Sequence, residues 1–462
     1  MERLHLLDAE FLHLEDRSAL MHIAALCVFE GEVPSDAEFR RLFEAKLHLA
    51  PRYRQRVRFV PLELGRPVWV DDPHFDFAYH VRRTALPAPG DARALNTLMG
   101  RVMEQQLDRE RPLWEWWIVE GLSGGRWAVI SKIHHAIVDG VSGIDLLSLM
   151  LDRDPNPKLP EPVPWTPEPE PSGAAKVLDA WDGLAHDIKS WGNRISHQLS
   201  HPREAARTVV ETSQGLLALF QRMRLSGRLS IEGPLSPHRV FASASLSLDD
   251  IRVIRKVHGG TINDVVLAAL TSGYRALLAA HGDDVDTAEV RTLIPVSVRK
   301  PEAASVRDNR FSGIICELPV KLKDPCLQLA AIKEATSELK RSHMAEAGEW
   351  MFDVGDLAPP MLVGPLSRLA ARIGHELPQH TINTITTNVP GPQFPLYGLG
   401  RRQLACYPYV PIVHGARVGT AVLSYDGQVG IGVTGDRESV PDVQLLARAT
   451  EDAIAQLLAT HP

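Results

Sequence analysis

Between Asp154 and Gly173 the chain carries prolines at 155, 157, 160, 162, 164, 167, 169 and 171. Each proline fixes φ and removes a backbone N–H, so neither a helix nor a sheet runs through such a segment. A chain of 462 residues interrupted there is expected to fold as two units joined by an extended crossover. The expected division is an N-terminal unit at 1–152, a proline-rich linker with amphipathic connecting helices at 153–235, and a C-terminal unit at 236–462.

Both units read as mixed α/β. Upstream, the apolar run Ala19–Phe29 predicts a buried strand, and Asp36–Leu49 has helical spacing after the Pro34-Ser35 start signal. Leu113–Val119 and Trp127–Ile133 flank the turn Gly121–Gly125 and predict an antiparallel hairpin, with a helix over Ile144–Leu151 behind it. After the prolines, Val177, Trp181, Leu184, Ile188, Trp191, Ile195 and Leu199 recur at steps of four and three, one apolar stripe on a helix. A second, arginine-bearing helix is expected over Glu204–Leu225; these helices either pack on the protein's own body or lie on a lipid surface. Farther on, helices are expected at Asp249–Val257 and Thr261–Ala280, the second opened by a Thr261/Asp264 capping pair. Strands are expected at Arg291–Val296, Ser312–Leu318, Thr381–Asn388, Val418–Tyr425 and Gln428–Val433, with a closing helix at Asp442–Leu458.

Several function classes are excluded early. Fifty Lys plus Arg against 57 Asp plus Glu give a net charge of −7, so no chain-wide basic field points to nucleic acid. The four cysteines have no paired or metal-finger spacing and are expected to be free thiols. The first residues lack a secretory signal, and no apolar window reaches the roughly 18 residues of a membrane span, so the chain is expected in the cytoplasm with at most peripheral membrane contact. The nucleophile elbow, the zinc helix and the phosphate loop are all missing. Gly430-Ile-Gly432-Val-Thr-Gly435 fits G-x-G-x-x-G literally, but it lies inside an alternating strand and opens no helix, so dinucleotide binding is not expected.

The segment Ile133-His134-His135-Ala136-Ile137-Val138-Asp139-Gly140 falls where a strand ends and a helix begins. Neighbouring strand side chains face opposite ways, so one imidazole is expected in a cleft and the other in support. Asp139 is placed to lock the loop through an arginine and backbone N–H groups, and Gly140 permits a sharp reversal. The diverging pair has no third ligand at helical spacing, so no metal is expected. Taken alone, this cluster fits a structural role as well as a catalytic one.

Its neighbours narrow the reading. Leu7–Leu12 with Met21-His22-Ile23, Trp69–Pro73 with Phe75-Asp76, Arg111–Glu115, Gly233–Ser236 and Thr261–Val265 stand in order around the His-His segment, followed by Pro295–Arg299, Asp308-Asn309-Arg310, Thr387–Pro392 and Ser424–Gly427. His-His-x-x-x-Asp-Gly is the signature of the CoA-dependent acyltransferase superfamily. Together the segments resemble, over nearly the full length, the bacterial wax ester synthase/acyl-CoA:diacylglycerol acyltransferase family and, within it, the actinobacterial triacylglycerol synthases. Two positions depart from that pattern: Leu20 stands where a proline is expected, and Asp308 where many relatives have glycine.

The resemblance implies an α/β fold of two chloramphenicol-acetyltransferase-like domains, each a mixed β-sheet flanked by helices, with the active site in a channel between them. It implies an acyl-CoA-dependent O-acyltransferase that esterifies diacylglycerol to triacylglycerol, and long-chain alcohols to wax esters, in a ternary complex without a covalent acyl-enzyme. His135 is the expected general base, His134 supports it, and Asp139 orients the loop with Arg299 as its partner. Asn263 and Asp264 either face the interdomain cleft or cap their helix; Asn388 either shapes the cleft wall and polarises the acyl carbonyl or serves loop geometry. Trp116, alternating with Trp114 and Trp117 on one strand, either lines an acyl channel or packs in the core. No cofactor or metal is implied, since acyl-CoA is a substrate. The implied partners are long-chain acyl-CoA, diacylglycerol or a fatty alcohol, and the surface of the inner membrane or a lipid droplet, with no nucleic acid. Two alternatives are a condensation-type or polyketide-associated acyltransferase using carrier-bound acyl groups, and a non-catalytic lipid-binding protein of lipid droplets.

Overall fold

The computed structural model describes residues 2–61, 64–137, 147, 149–181, 229–297, 311–341 and 382–460. Most of the helix expected over Ile144–Leu151 lies outside them, as does everything expected between 182 and 225.

Two six-stranded mixed sheets dominate. The first runs β12 (Tyr397–Gly398), β13 (Arg401–Tyr409), β2 (His22–Glu30), β7 (Arg126–His134), β6 (Trp114–Leu122), β5 (Val81–Ala85). The second runs β10 (Phe311–Leu318), β9 (Val290–Ser297), β11 (Thr384–Pro390), β14 (Val418–Tyr425), β15 (Gln428–Asp436), β8 (Arg239–Ser247). Among the described residues, parallel pairing is confined to β5 with β6 and to β11 with its two neighbours. A small antiparallel sheet of β1 (Glu2–Arg3), β4 (Val68–Asp71) and β3 (Gln55–Arg58) flanks the first.

Strand β2 is almost wholly apolar because both of its faces are covered. Helix α4 (Ala92–Met103) lays Leu95, Met99, Val102 and Met103 against Leu26, Val28, Ala128 and Ile130. On the other face Phe39 and Phe43 of α2 (Asp36–Lys46) join Trp114, Trp116 and Trp127 over Cys27 and Phe29. The α2 start is a reciprocal cap, with Ser35 Oγ accepting the Glu38 N–H and Glu38 Oε2 accepting the Ser35 N–H. The β2 strand begins at His22, later than the apolar run, because Asp16 Oδ1 accepts the N–H groups of Ser18 and Ala19 and holds a turn there. In the second sheet α6 (Ile262–Ala280) is the central helix, opened by the Thr261/Asp264 reciprocal cap. The prolines behave as expected, with no helix or strand from 154 to 172. That segment is held to the N-terminal half by Arg54, stacked 4.4 Å from the Trp165 ring, and by Glu170, which pairs with Arg56 at 2.9 Å.

The two sheets are tied by strands that cross from the C-terminal half into the first sheet. Strands β12 and β13 come from the C-terminal half of the chain but belong to the first sheet, where β13 pairs antiparallel with β2. Cys406 faces Cys27 across this pairing, both buried, with sulfurs 2.8 Å apart. On its way β13 passes so close over β15 that a Cβ on Gly430 would sit 2.0 Å from the Cys406 carbonyl oxygen, and one on Gly432 would sit 1.8 Å from that of Pro408. These glycines are the ones in the G-x-G-x-x-G pattern, and their physical reason is backbone-to-backbone crossing. Replacing Gly432 by Ala is expected to cost about 3 kcal/mol, because the methyl group meets backbone that cannot move alone. Thermal unfolding would show it as a clearly lowered midpoint, and an unchanged midpoint would mean that the crossing is looser than described.

Candidate active site

Strand β2 begins where its antiparallel neighbour β7 ends, with His22 opposite His134. Beyond His134 the chain tightens into a 3₁₀ turn over His135–Ile137, so the two adjacent imidazoles part company as strand geometry requires. His134 is fully buried; its Nδ1 accepts the Ala136 N–H at 3.0 Å. His135 is half-buried, its N–H donates to the Met21 carbonyl at 2.8 Å, and its ring stacks on Phe11 with centroids 4.0 Å apart. Phe11 belongs to α1 (Leu6–Leu14).

Burial sets the protonation of this cluster. It pushes His135 down to about 4, assisted by the neighbouring His134, and His22 down to about 3 against the pull of Glu15. Burial alone would raise Glu15, but the imidazoles of His134 and His22 facing it outweigh burial and hold the carboxyl below its usual range. Oε1 of Glu15 lies 3.2 Å from His22 Nε2 and 3.6 Å from His134 Nε2, while Oε2 takes Arg109 at 2.6 Å. Two residues before His134, the buried Lys132 points to the same face and donates to the Val102 carbonyl at 2.9 Å, a cation at the C-terminal end of α4. Burial lowers that amine to about 8.

The cluster sits where the two halves of the chain meet. Phe11 packs on a patch made of Ala19 and Met21 from one half and Leu235 and Ile412 from the other. Ala136 and Ile137 share a core with Leu423 and Tyr425, and Val389 packs against it. Beside Val389, Asn388 donates from Nδ2 to Asn263 Oδ1 at 2.8 Å. Two sequence candidates 125 residues apart are thus brought into contact. Asp264, next to Asn263, is buried in its cap and accepts a further bond from Thr336 Oγ1 at 2.8 Å. Trp116 is 2% exposed, edge-on to Phe43 in the core of the first sheet. Asp139, Gly140 and Arg299 lie outside the described residues. Among the described residues no three His, Cys, Asp or Glu side chains converge as a metal-holding group.

Sequence reasoning had no hold on Glu15, which stands in a Glu-Asp-Arg triplet that reads as a solvated turn. Phe11 and His22 were visible only within segments of family resemblance.

The two-sheet α/β fold is shared with the first condensation domain of the calcium-dependent antibiotic synthetase. That domain is 14% identical with a TM-score of 0.56, over 99% of this chain and 95% of that one. The wax ester synthase/diacylglycerol acyltransferase from Marinobacter aquaeolei VT8 superposes with a TM-score of 0.69 at 26% identity, covering 98% of both chains. Residues 4–266 match the wax ester synthase/diacylglycerol acyltransferase catalytic domain, and residues 308–458 match the C-terminal domain of the same family. The probable diacylglycerol O-acyltransferase tgs1 of Mycobacterium tuberculosis H37Rv is 34% identical over 463 residues, 99% of this chain and 96% of that one. The chain belongs to the wax ester synthase/diacylglycerol acyltransferase family and is an O-acyltransferase.

The buried imidazoles make stability depend on pH. His22, His80 and His135 all have folded values below the ordinary histidine range, at about 3, 4 and 4. Below about pH 6.5 the unfolded chain binds protons that the folded chain refuses, so stability present at neutral pH is lost as the pH falls toward 4. For the fully buried His22 and His80 the loss at pH 5 is on the order of 2 kcal/mol each. Denaturant titrations at pH 7 and pH 5 are expected to show a markedly lower midpoint at pH 5; equal midpoints would contradict the neutral, buried state of these rings.

Proposed function

We propose that this O-acyltransferase moves the acyl group of a long-chain acyl-CoA onto the free hydroxyl of diacylglycerol, giving triacylglycerol, and accepts long-chain alcohols as second-best acceptors. The observation that carries the reading is the half-buried His135 imidazole, neutral at physiological pH and placed at the junction of the two halves. The names of the mycobacterial relatives favour the diacylglycerol acceptor over the alcohol.

In this reading His135 is the general base. Its Nδ1 is sealed from solvent, with no hydrogen-bond partner among the described residues. We assign the ring proton to Nδ1 and the lone pair to Nε2. Nε2 removes the acceptor's hydroxyl proton as oxygen attacks the thioester carbon; the imidazolium then protonates the departing CoA thiolate, and proton and acyl group balance without a covalent acyl-enzyme. Phe11 holds the ring face, and the Met21 carbonyl holds the backbone N–H behind it. The Asn263–Asn388 pair is the polar element we assign to the acyl carbonyl. Asp139 and Gly140 are assigned to ordering the loop after His135, with Arg299 as the partner of Asp139. We place the enzyme peripherally at a lipid surface, a reading supported by Leu178 and Trp181, which are 70% and 56% exposed on the helical segment described over 173–181. Among the described residues no helix is long and apolar enough to cross a membrane.

Radiolabelled acyl-CoA offered with diacylglycerol and hexadecanol together is expected to label mainly triacylglycerol. His135→Ala is expected to lose about 10²- to 10⁴-fold in rate while Cys316→Ala stays at the wild-type level. A fully active His135→Ala variant would overturn the base assignment, and label entering only wax ester would overturn the acceptor.

A further inference from the structure

Glu15 carries a buried carboxylate that Arg109, Gln106, Met21, His22 and His134 surround. It occupies the position just past α1 in an extended conformation, which turns its side chain inward beneath the helix. An ion pair with Arg109 would satisfy it at the surface; instead its side chain is 1% exposed and divides its oxygens between two tasks. Oε2 takes Arg109 and the Gln106 amide, the latter at 3.1 Å. Oε1 accepts the Met21 N–H at 3.3 Å and faces Nε2 of both His22 and His134. Burying a charge in this way is costly, and its partners offset that cost only while the geometry holds.

The next links lead to His135 from both sides. Met21, whose N–H is held by Glu15, accepts the His135 N–H on its own carbonyl at 2.8 Å. His134 accepts the Ala136 N–H on Nδ1, so a neutral ring has its proton on Nε2, the nitrogen directed at Glu15. Phe11, one helical turn before Glu15, stacks on the His135 ring. One end of one helix thus contacts the ring directly and reaches the peptide groups before and after it through one intermediary each.

We propose that Glu15 is a positioning residue for acyl transfer: through Met21 and His134 it clamps the backbone on either side of His135 and so aims the imidazole at the reacting hydroxyl. The proposal rests on His135 being the base. A carboxylate held ionised over a wide pH range keeps the clamp closed under all physiological conditions.

The test uses the full-length enzyme with acyl-CoA and diacylglycerol, measuring kcat and KM separately alongside thermal midpoints. Glu15→Gln is expected to lower kcat by about 10²-fold, the cost of an ångström-scale misplacement, with the KM for acyl-CoA nearly unchanged. Glu15→Asp keeps the charge and the reach to Arg109 but withdraws from Met21 and His134; it is expected to fold with a near wild-type midpoint and still lose kcat without a change in KM. Leu277→Ala, a core truncation in the other half, supplies the control in which stability falls and kcat does not. Full kcat in Glu15→Asp, or a kcat in Glu15→Gln no lower than in Leu277→Ala, would overturn the proposal. His135→Ala is run beside them: if it alone stays active, the base assignment has failed, whereas a dead His135→Ala beside a fully active Glu15→Asp sinks only the clamp.

Discussion

The architecture depends on one strand crossing from the C-terminal half of the chain into the N-terminal sheet. Strand β13 lies on β2 by hydrogen bonds and passes over β15 at backbone contact distance, and only glycines at 430 and 432 allow that approach. With this strand in place the two sheets are fixed against each other. The end of β7, where the His-His turn emerges, then faces residues of both halves. Acyl transfer between two bulky lipid-bearing substrates needs such a junction, because a site made of one sheet surface would hold one substrate but not align a second.

The chemistry of the turn follows from what is buried with it. Burial keeps His135 neutral at physiological pH, the state the proposed base requires. A lowered pKa also weakens the ring's hold on the transferred proton. In the proposed mechanism, rate enhancement therefore rests more on alignment than on basicity. The surroundings match that requirement: a stacked phenyl ring, a backbone acceptor, and a buried acid and its partners behind the second histidine. Side-chain packing and hydrogen bonding are spent on fixing one ring's direction.

Local patterns in the sequence carried much of the fold. The β6–β7 hairpin, the helices opened by Ser35 and Thr261, the broken segment after Asp154, and the strands around Val418–Asp436 all follow from period, caps and turn residues. Strand β13 did not, since its sequence mixes charges with Pro408 and its partner lies 379 residues away in the chain at the Cys27–Cys406 contact. No short-range pattern encodes that pairing. The same holds for the site. The His-His segment and the Asn263 and Asn388 candidates stand out by motif, but their meeting is tertiary. Glu15 is hidden for the opposite reason, because a charged triplet looks solvated until a helix end, two strands and a loop close over it. Trp116, conspicuous as an aromatic beside the motif, points into the core because alternation along β6 places it with Trp114.

The central claim is that a neutral, partly buried His135 takes the acceptor's proton. The pH dependence of kcat/KM, followed where circular dichroism shows the chain fully folded, tests it most directly because it reports the base in the free enzyme. The account predicts a rate that stays level from pH 8 to about 5 and bends downward only toward the lowered value near 4. An acid limb centred at the free-histidine value of about 6.5 or higher would contradict it.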